Sequence, residues 1–240
     1  MEWRTARYLV LDTETTGLDP SVDRLVEVAA TPVTPGSPDG PVGVAKSTLI
    51  NPERDIPATA SAVHHLTARH VAHAPTWAEV APLIVAEMEA ADVLVAHNAP
   101  FDRAFLPPVD RPWLDTLRLA RHLWPEAPKH SNQVLRYWLP LDVDVDLPHR
   151  AADDTYVTAA LLIRALASLP PEVGPTVADL LAWVARPVWV GHMTFGKHQG
   201  QPITELPRDY LQWLLFKATF PLDPDLRYTL EQVWAGTRPV

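Results

Sequence analysis

VLDTETTGLDP, residues 10–20, ends an apolar run, RYLVLD, with two carboxylates set two positions apart. The run reads as a strand, and Gly17 to Pro20 reads as the turn that closes it. Side chains on a strand alternate between faces. Tyr8, Val10, Asp12 and Glu14 therefore share one face, and Leu9, Leu11 and Thr13 share the other. Two anions side by side at the end of a buried strand repel each other, and burying them unpaired is costly. Arginines could neutralise them by salt bridges. Metal ions could do the same.

Outward from this strand, residues 24–33 (RLVEVAATPV) read as a second strand and residues near 42–50 as a third. Short connections between the three predict an antiparallel meander. The period then changes. TWAEVAPLIVAEMEA, 76–90, reads as a helix opened by a capping box of Thr76 and Glu79. DVLVAH, 92–97, reads as a short buried strand. Asn98 then suits a helix N-cap and Pro100 the first turn. Helices are predicted near 115–123, 131–139 and 150–168. The fold class is α/β: a mixed sheet of three antiparallel strands followed by parallel ones, flanked by helices. PPEVGP marks a linker. The expected organisation is a domain over 1–170, a linker with a short helix over 171–187, and a small C-terminal module over 188–240 with helices near 208–217 and 224–235.

Two further acids sit in telling places. Asp102 falls in the first turn of the helix after DVLVAH, where an acid also suits the helix dipole. Asp154 shares a helix stripe with Val157, Thr158, Leu161 and Ala165, so it needs a partner in the interior. Asp153 is rotated about 100° away and faces outward. His149 precedes that helix in a loop, free to lean over the site.

DTETTGL, HNAPFD and HRAADD resemble, in order, the three motifs of the DEDDh 3′-to-5′ exonucleases, a group that includes polymerase proofreading subunits, ribonuclease T and exodeoxyribonuclease X. HSNQVLRYWL and MTFGKHQGQPITELPRDYLQWLL resemble exodeoxyribonuclease X, including its C-terminal segment, so the resemblance covers nearly the whole chain. It implies a ribonuclease H-like fold and two divalent cations, Mg²⁺ or Mn²⁺, on oxygen ligands. By the same analogy Asp12 bridges both ions, Glu14 and Asp154 complete the site of the attacking water, and Asp102 acts directly or through waters. His149 is then the general base, with an ordinary pKa suited to neutral pH. The resemblance also offers substrate contacts: Leu18 wedging the terminal base and Thr13 giving its backbone N–H to the 3′-OH. Asn98 is a candidate contact too, but a helix cap is the favoured reading of it. AVHHLT is similar to a His-Gly-Ile-Thr stretch common in the family, with His65 where glycine is usual. His64 receives no role from this, and His97 is read as structural.

The implied activity is hydrolysis of DNA from 3′ ends to nucleoside 5′-monophosphates, in repair or end trimming. RNA 3′-end trimming keeps the chemistry and changes the substrate. A polymerase-associated proofreading subunit is a third reading, against which the lack of a long flexible C-terminal tail counts. A catalytically dead binding module would need a missing acid, and none is missing. The partner is DNA, single-stranded or duplex, or RNA, and the protein is a monomer or homodimer.

Bulk properties agree. A net charge of −9 argues against a purely electrostatic nucleic-acid binder but suits carboxylates that hold metals. There is no cysteine, hence no disulfide or thiolate metal site. MEWRTARYLV lacks the apolar core of a signal peptide, and no run approaches a membrane span, so a cytoplasmic protein is expected. In the C-terminal module, FGKHQG (195–200) has two readings. One is a nucleic-acid contact through Phe195, Lys197 and His198. The other, favoured, is a tight-turned module with Phe195 and Trp213 in its own core. Residues 191–240 balance five Lys/Arg against five Asp/Glu, so charge does not choose. QWLLF, 212–216, looks like a sliding-clamp peptide, but its place in a predicted helix argues against that contact.

Overall fold

A computed structural model describes residues 1–37, 40–143 and 150–237. His149 lies outside the described residues. The chain divides into two compact units, Met1–Val184 and Ala185–Val240.

The first unit is built on a five-stranded mixed sheet: β1 (Tyr8–Thr15), β2 (Leu25–Val33), β3 (Lys46–Leu49), β4 (Val93–Ala96) and β5 (Trp113–Asp115). The order is β3-β2-β1-β4-β5. β1 pairs antiparallel with β2 and parallel with β4, and β4 pairs parallel with β5. β1 is thus the central strand, which is why its residues are apolar on both faces. Tyr8 and Val10 enter one core together with Val95, Leu161 and Leu162. Leu9 and Leu11 enter a second core with Val80, Ile84 and Met88. The predicted alternation of faces is the one observed.

The helices of this unit are α1 (Ala58–His64), α2 (Ala68–Val71), α3 (Trp77–Ala90), α4 (Ala99–Phe105), α5 (Thr116–Leu123), α6 (Asn132–Trp138), α7 (Ala151–Ala167) and α8 (Val177–Val184). Glu79 Oε2 accepts from Thr76 N–H at 2.8 Å, the expected capping box of α3. α7 buries Val157, Thr158, Leu161 and Ala165 along one stripe, with Asp154 at its start. Leu161 is fully enclosed. Leu161→Ala is expected to cost about 2–5 kcal/mol, read as a lower urea midpoint at unchanged slope.

One expectation is corrected. Asn98 does occupy the N-cap position of α4, but its side chain makes no capping bond. Its backbone is left-handed, φ 75°, which Asn tolerates, and its N–H donates to Asp115 Oδ1 at 3.1 Å. The chain turns from β4 into α4 without a side-chain cap. The stretch 171–187, which carries the expected short helix as α8, packs with the first unit over most of its length. Trp3 Nε1–H donates to the Gly174 carbonyl at 3.0 Å, and Trp183 of α8 lies in the first core. The division between units comes after α8.

The second unit has a core of Met193, Ile203, Leu206, Leu211, Leu214, Leu215, Leu226 and Leu230. Its helices are α9 (Arg208–Phe216) and α10 (Pro224–Trp234). Buried Asp225 accepts Val188 N–H at 3.0 Å, and Thr229 Oγ1 accepts Val190 N–H at 2.8 Å, tying the entering chain to α10. QWLLF lies in α9 with Leu214 and Leu215 buried, so it is not an extended peptide. Among the described residues, no helix is long and apolar enough to cross a membrane.

Candidate active site

The end of β1 and the start of α7 form the site. Asp12 and Glu14 extend the face of β1 that carries Tyr8 and Val10, the face on which α7 packs. A buried hydroxyl pair, Thr31 Oγ1 donating to Thr155 Oγ1 at 2.7 Å, joins β2 to the first turn of α7. That places Asp154 over the strand. One carboxylate oxygen from each of Asp12, Glu14 and Asp154 lies within 4.8 Å of the others. Gln133 Nε2 donates to Asp154 Oδ1 at 3.2 Å.

Asp102 stands just outside this trio. It is 3% exposed in the first turn of α4, and its Oδ1 accepts from the Thr13 hydroxyl at 2.8 Å. Thr13 thus holds Asp102 from the opposite face of β1. The geometry gives the Thr13 side chain a positioning contact that strand reading alone did not suggest.

The electrostatics have one dominant cause. Burial pushes Asp12 well above the usual carboxylate range, and the charges of Asp102, Glu14, Asp154 and Glu27 push it further. Burial raises Glu14 to about 8, reinforced by Asp154, Glu27 and Asp102 and opposed by Arg150. Burial raises Asp102 to about 7, opposed by the Thr13 hydrogen bond. Among the described residues no ion pair reaches Asp12 or Glu14. The arginine next to α7 is used elsewhere: Arg150 Nε and Nη2 donate to Glu27, each at 3.2 Å. The clustered carboxylates of Asp12, Glu14 and Asp154 form an all-oxygen donor set, which fits a hard divalent cation.

Glu27 is the residue that sequence reasoning passed over. It is 1% exposed and sits across the sheet from Glu14. Like charges opposite each other destabilise a sheet unless they are compensated. Compensation comes from Arg150, from Ser47 Oγ at 2.6 Å and from Ala151 N–H at 3.3 Å. The signal was present: a lone acid inside an otherwise apolar strand.

A cavity of about 310 Å³ adjoins the acids, lined by Thr13, Glu14, Leu18, Val63, His64 and Phe101 among others. Leu18 is 83% exposed at the turn. His64 is buried, and its Nδ1 accepts Leu66 N–H at 3.0 Å. Burial lowers its pKa, so it is neutral at pH 7. His65 follows it at φ 61°, the left-handed conformation for which glycine is the usual residue. His97 is bonded between Thr116 Oγ1 (3.0 Å) and the His130 carbonyl (2.7 Å), and burial lowers it to about 4. It is a neutral brace beneath the site. Asn98 is exposed at the start of α4.

Residues 9–162 match the model of the family described as Exonuclease. Over 234 residues the chain is 36% identical to Exodeoxyribonuclease 10 of Escherichia coli K12, covering 95% of this chain and 99% of that protein. The chain belongs to the exonuclease family. It is also 40% identical over 188 residues to a DNA polymerase III subunit epsilon-like protein of Rhodobacter capsulatus, covering 75% of this chain and 26% of that protein. A solved structure of Exonuclease X in complex with 5′ overhanging duplex DNA superposes with a TM-score of 0.58 at 37% identity, covering 67% of this chain and 91% of that one. The mixed sheet of this exonuclease is therefore the ribonuclease H-like one. Residues 187–234 match a second model, described as a putative quorum-sensing-regulated virulence factor. That match begins close to where the second unit begins.

Proposed function

We propose that this exonuclease hydrolyses DNA from the 3′ end, releasing nucleoside 5′-monophosphates, with two divalent cations, Mg²⁺ or Mn²⁺, as cofactors. The observation that carries the reading is the trio of carboxylate oxygens from Asp12, Glu14 and Asp154 within 4.8 Å, beside a cavity of about 310 Å³. The near full-length likeness to an exodeoxyribonuclease supports DNA as the substrate. Asp12, Glu14 and Asp154 would hold the cations, with Asp102 as the neighbouring fourth carboxylate. When bound, the cations neutralise phosphate charge and lower the pKa of the attacking water.

The chain's own residues do the rest. The cavity takes the terminal nucleotide, with Leu18 at the rim against its base and Phe101 on another wall. Thr13 gives its backbone N–H to the 3′-OH, and Asn98 contacts the substrate at the start of α4. His149 accepts the proton of the attacking water, a role that histidine's reference pKa of about 6.5 suits at neutral pH. His149→Ala is expected to lower kcat about 10²-fold at neutral pH. Cation affinity, measured by calorimetry, should be unchanged. Full activity in that variant removes the base assignment.

The test of the whole reading is a denaturing gel of 5′-labelled DNA and RNA oligonucleotides with Mg²⁺, Mn²⁺ or EDTA, with Asp12→Ala beside the wild type. A metal-dependent ladder shortening from the 3′ end of DNA, and lost in the variant, is expected. A ladder on RNA alone reassigns the substrate. No cleavage of either overturns the proposal.

A further inference from the structure

The second unit carries a cleft of about 590 Å³ walled by Phe195, Tyr210, Trp213 and Phe220, with Lys197 and Asp209 also lining it. Tyr210 and Trp213 stack at 5.7 Å with 21° between their planes. Phe220 lies 6.0 Å from Trp213, and Phe195 meets Phe220 edge-on at 5.7 Å. Phe195 and Tyr210 are partly buried against the core of this unit, whereas Trp213 and Phe220 take no part in it. Leu211, Leu214 and Leu215 supply the buried stripe of α9, and Tyr210 and Trp213 lie on a neighbouring stripe three residues apart. Trp213 and Phe220 are each 41% exposed. Large rings clustered at a surface mark a contact site when packing does not use them.

The glycine-marked turn shapes one rim. Gly196 adopts φ +72°, and a Cβ there would come 3.2 Å from the Tyr210 hydroxyl. The turn carries the exposed Lys197, whose Nζ lies 5.2 Å from the Tyr210 ring centroid. A cation thus already faces one ring, which disfavours a cationic occupant. The site offers flat aromatic faces and one ammonium group.

We propose that this cleft binds single-stranded nucleic acid, its rings stacking on bases and Lys197 meeting an adjoining phosphate. The inference rests on the exonuclease reading, which puts a polynucleotide at this protein's disposal. Every base has a π-face, so aromatic platforms hold single strands without choosing sequence. Lys197 and Asp209 oppose each other in charge, so stacking, not charge, dominates. With one phosphate contact, log K should fall with log salt at a slope of only about −0.7 from this site. The second unit thereby gives the nuclease a strand contact separate in chemistry from its acidic site.

The test uses the full chain in EDTA with a 5′-fluorescein oligo(dT), read by fluorescence anisotropy. Trp213→Ala is expected to weaken binding about 10-fold, and Trp213→Phe to retain most of it. Hydrolysis of the p-nitrophenyl ester of thymidine 5′-monophosphate with Mn²⁺, which needs the acidic site and no extended strand, should be unchanged in both. Lys197→Glu, at an exposed position, should weaken binding severalfold and decides the matter if Trp213→Ala does not fold. Unchanged affinity in the folded variants, with ester hydrolysis intact, overturns the cleft proposal and turns attention to a protein partner. A wild type that hydrolyses neither ester nor oligonucleotide overturns the acidic-site reading instead.

Discussion

Asp12→Asn is expected to cut kcat by about 10⁴-fold or more while raising the thermal midpoint of the metal-free protein. The two effects share one cause. The Asp12 carboxyl sits where burial and the charges of Asp102, Glu14, Asp154 and Glu27 all disfavour its ionised form. A neutral amide of nearly the same shape relieves that repulsion. It also removes the charge that the proposed cations need. Active sites hold such strain because function requires it, and disarming them commonly stabilises a fold. Melting curves in EDTA and single-turnover cleavage with Mg²⁺ check both halves. Activity within tenfold of wild type, or a lower metal-free midpoint, would show that Asp12 is an ordinary structural acid.

The second large effect is on stability as a function of pH. Glu14 titrates at about 8 and Asp102 at about 7 in the folded chain, far above ordinary carboxylates. Over the interval between ordinary and raised values the folded chain holds more protons than the unfolded one. Its stability therefore falls as pH rises. His97 works in the opposite sense, since burial lowers it to about 4 and the unfolded chain protonates first. That contribution, shared in sense by His64 and His130, tails off over about a unit above the ordinary histidine value of about 6.5. Between about pH 6.5 and 8 the acids outweigh it, and the metal-free protein should lose on the order of 1 kcal/mol. Saturating Mn²⁺ should reverse the slope, because binding favours the ionised carboxylates. Chemical denaturation at several pH values, with EDTA or Mn²⁺, measures this. A metal-free stability that is flat or rising above pH 6.5 contradicts the burial of these acids.

What was legible in the sequence follows from where the determining contacts lie. β1, α3 and α7 announce themselves locally, through alternation, a capping box and a 3.6-residue stripe. Because β1 alternates, Asp12 and Glu14 could be set on one face, and because α7 has a stripe, Asp154 could be set against them. α1 escaped notice because ATASAVH has small residues and buries His64 alone, so no apolar period marks it. β5 is three residues long, too short for any pattern. Long-range contacts were out of reach. The hydrogen bond from Trp3 to Gly174 makes part of the first unit out of a proline-rich stretch that reads as linker. Glu27 stands out locally as a lone acid in an apolar strand, but its partners Arg150 and Ser47 come from other elements and are not marked in the sequence. Trp213 was expected in the small core, and the leucines of α9 took that place.

Asp12 and Asp154 meet at one point although roughly 140 residues lie between them along the chain. Synthesis proceeds from the N-terminus, so DTET leaves the ribosome long before α7 does. Until α7 has docked on β1, the third carboxylate is missing and the donor set is incomplete. On the proposed two-cation reading, a nascent or truncated copy that ends before α7 would lack one of the three clustered carboxylates and should not cut.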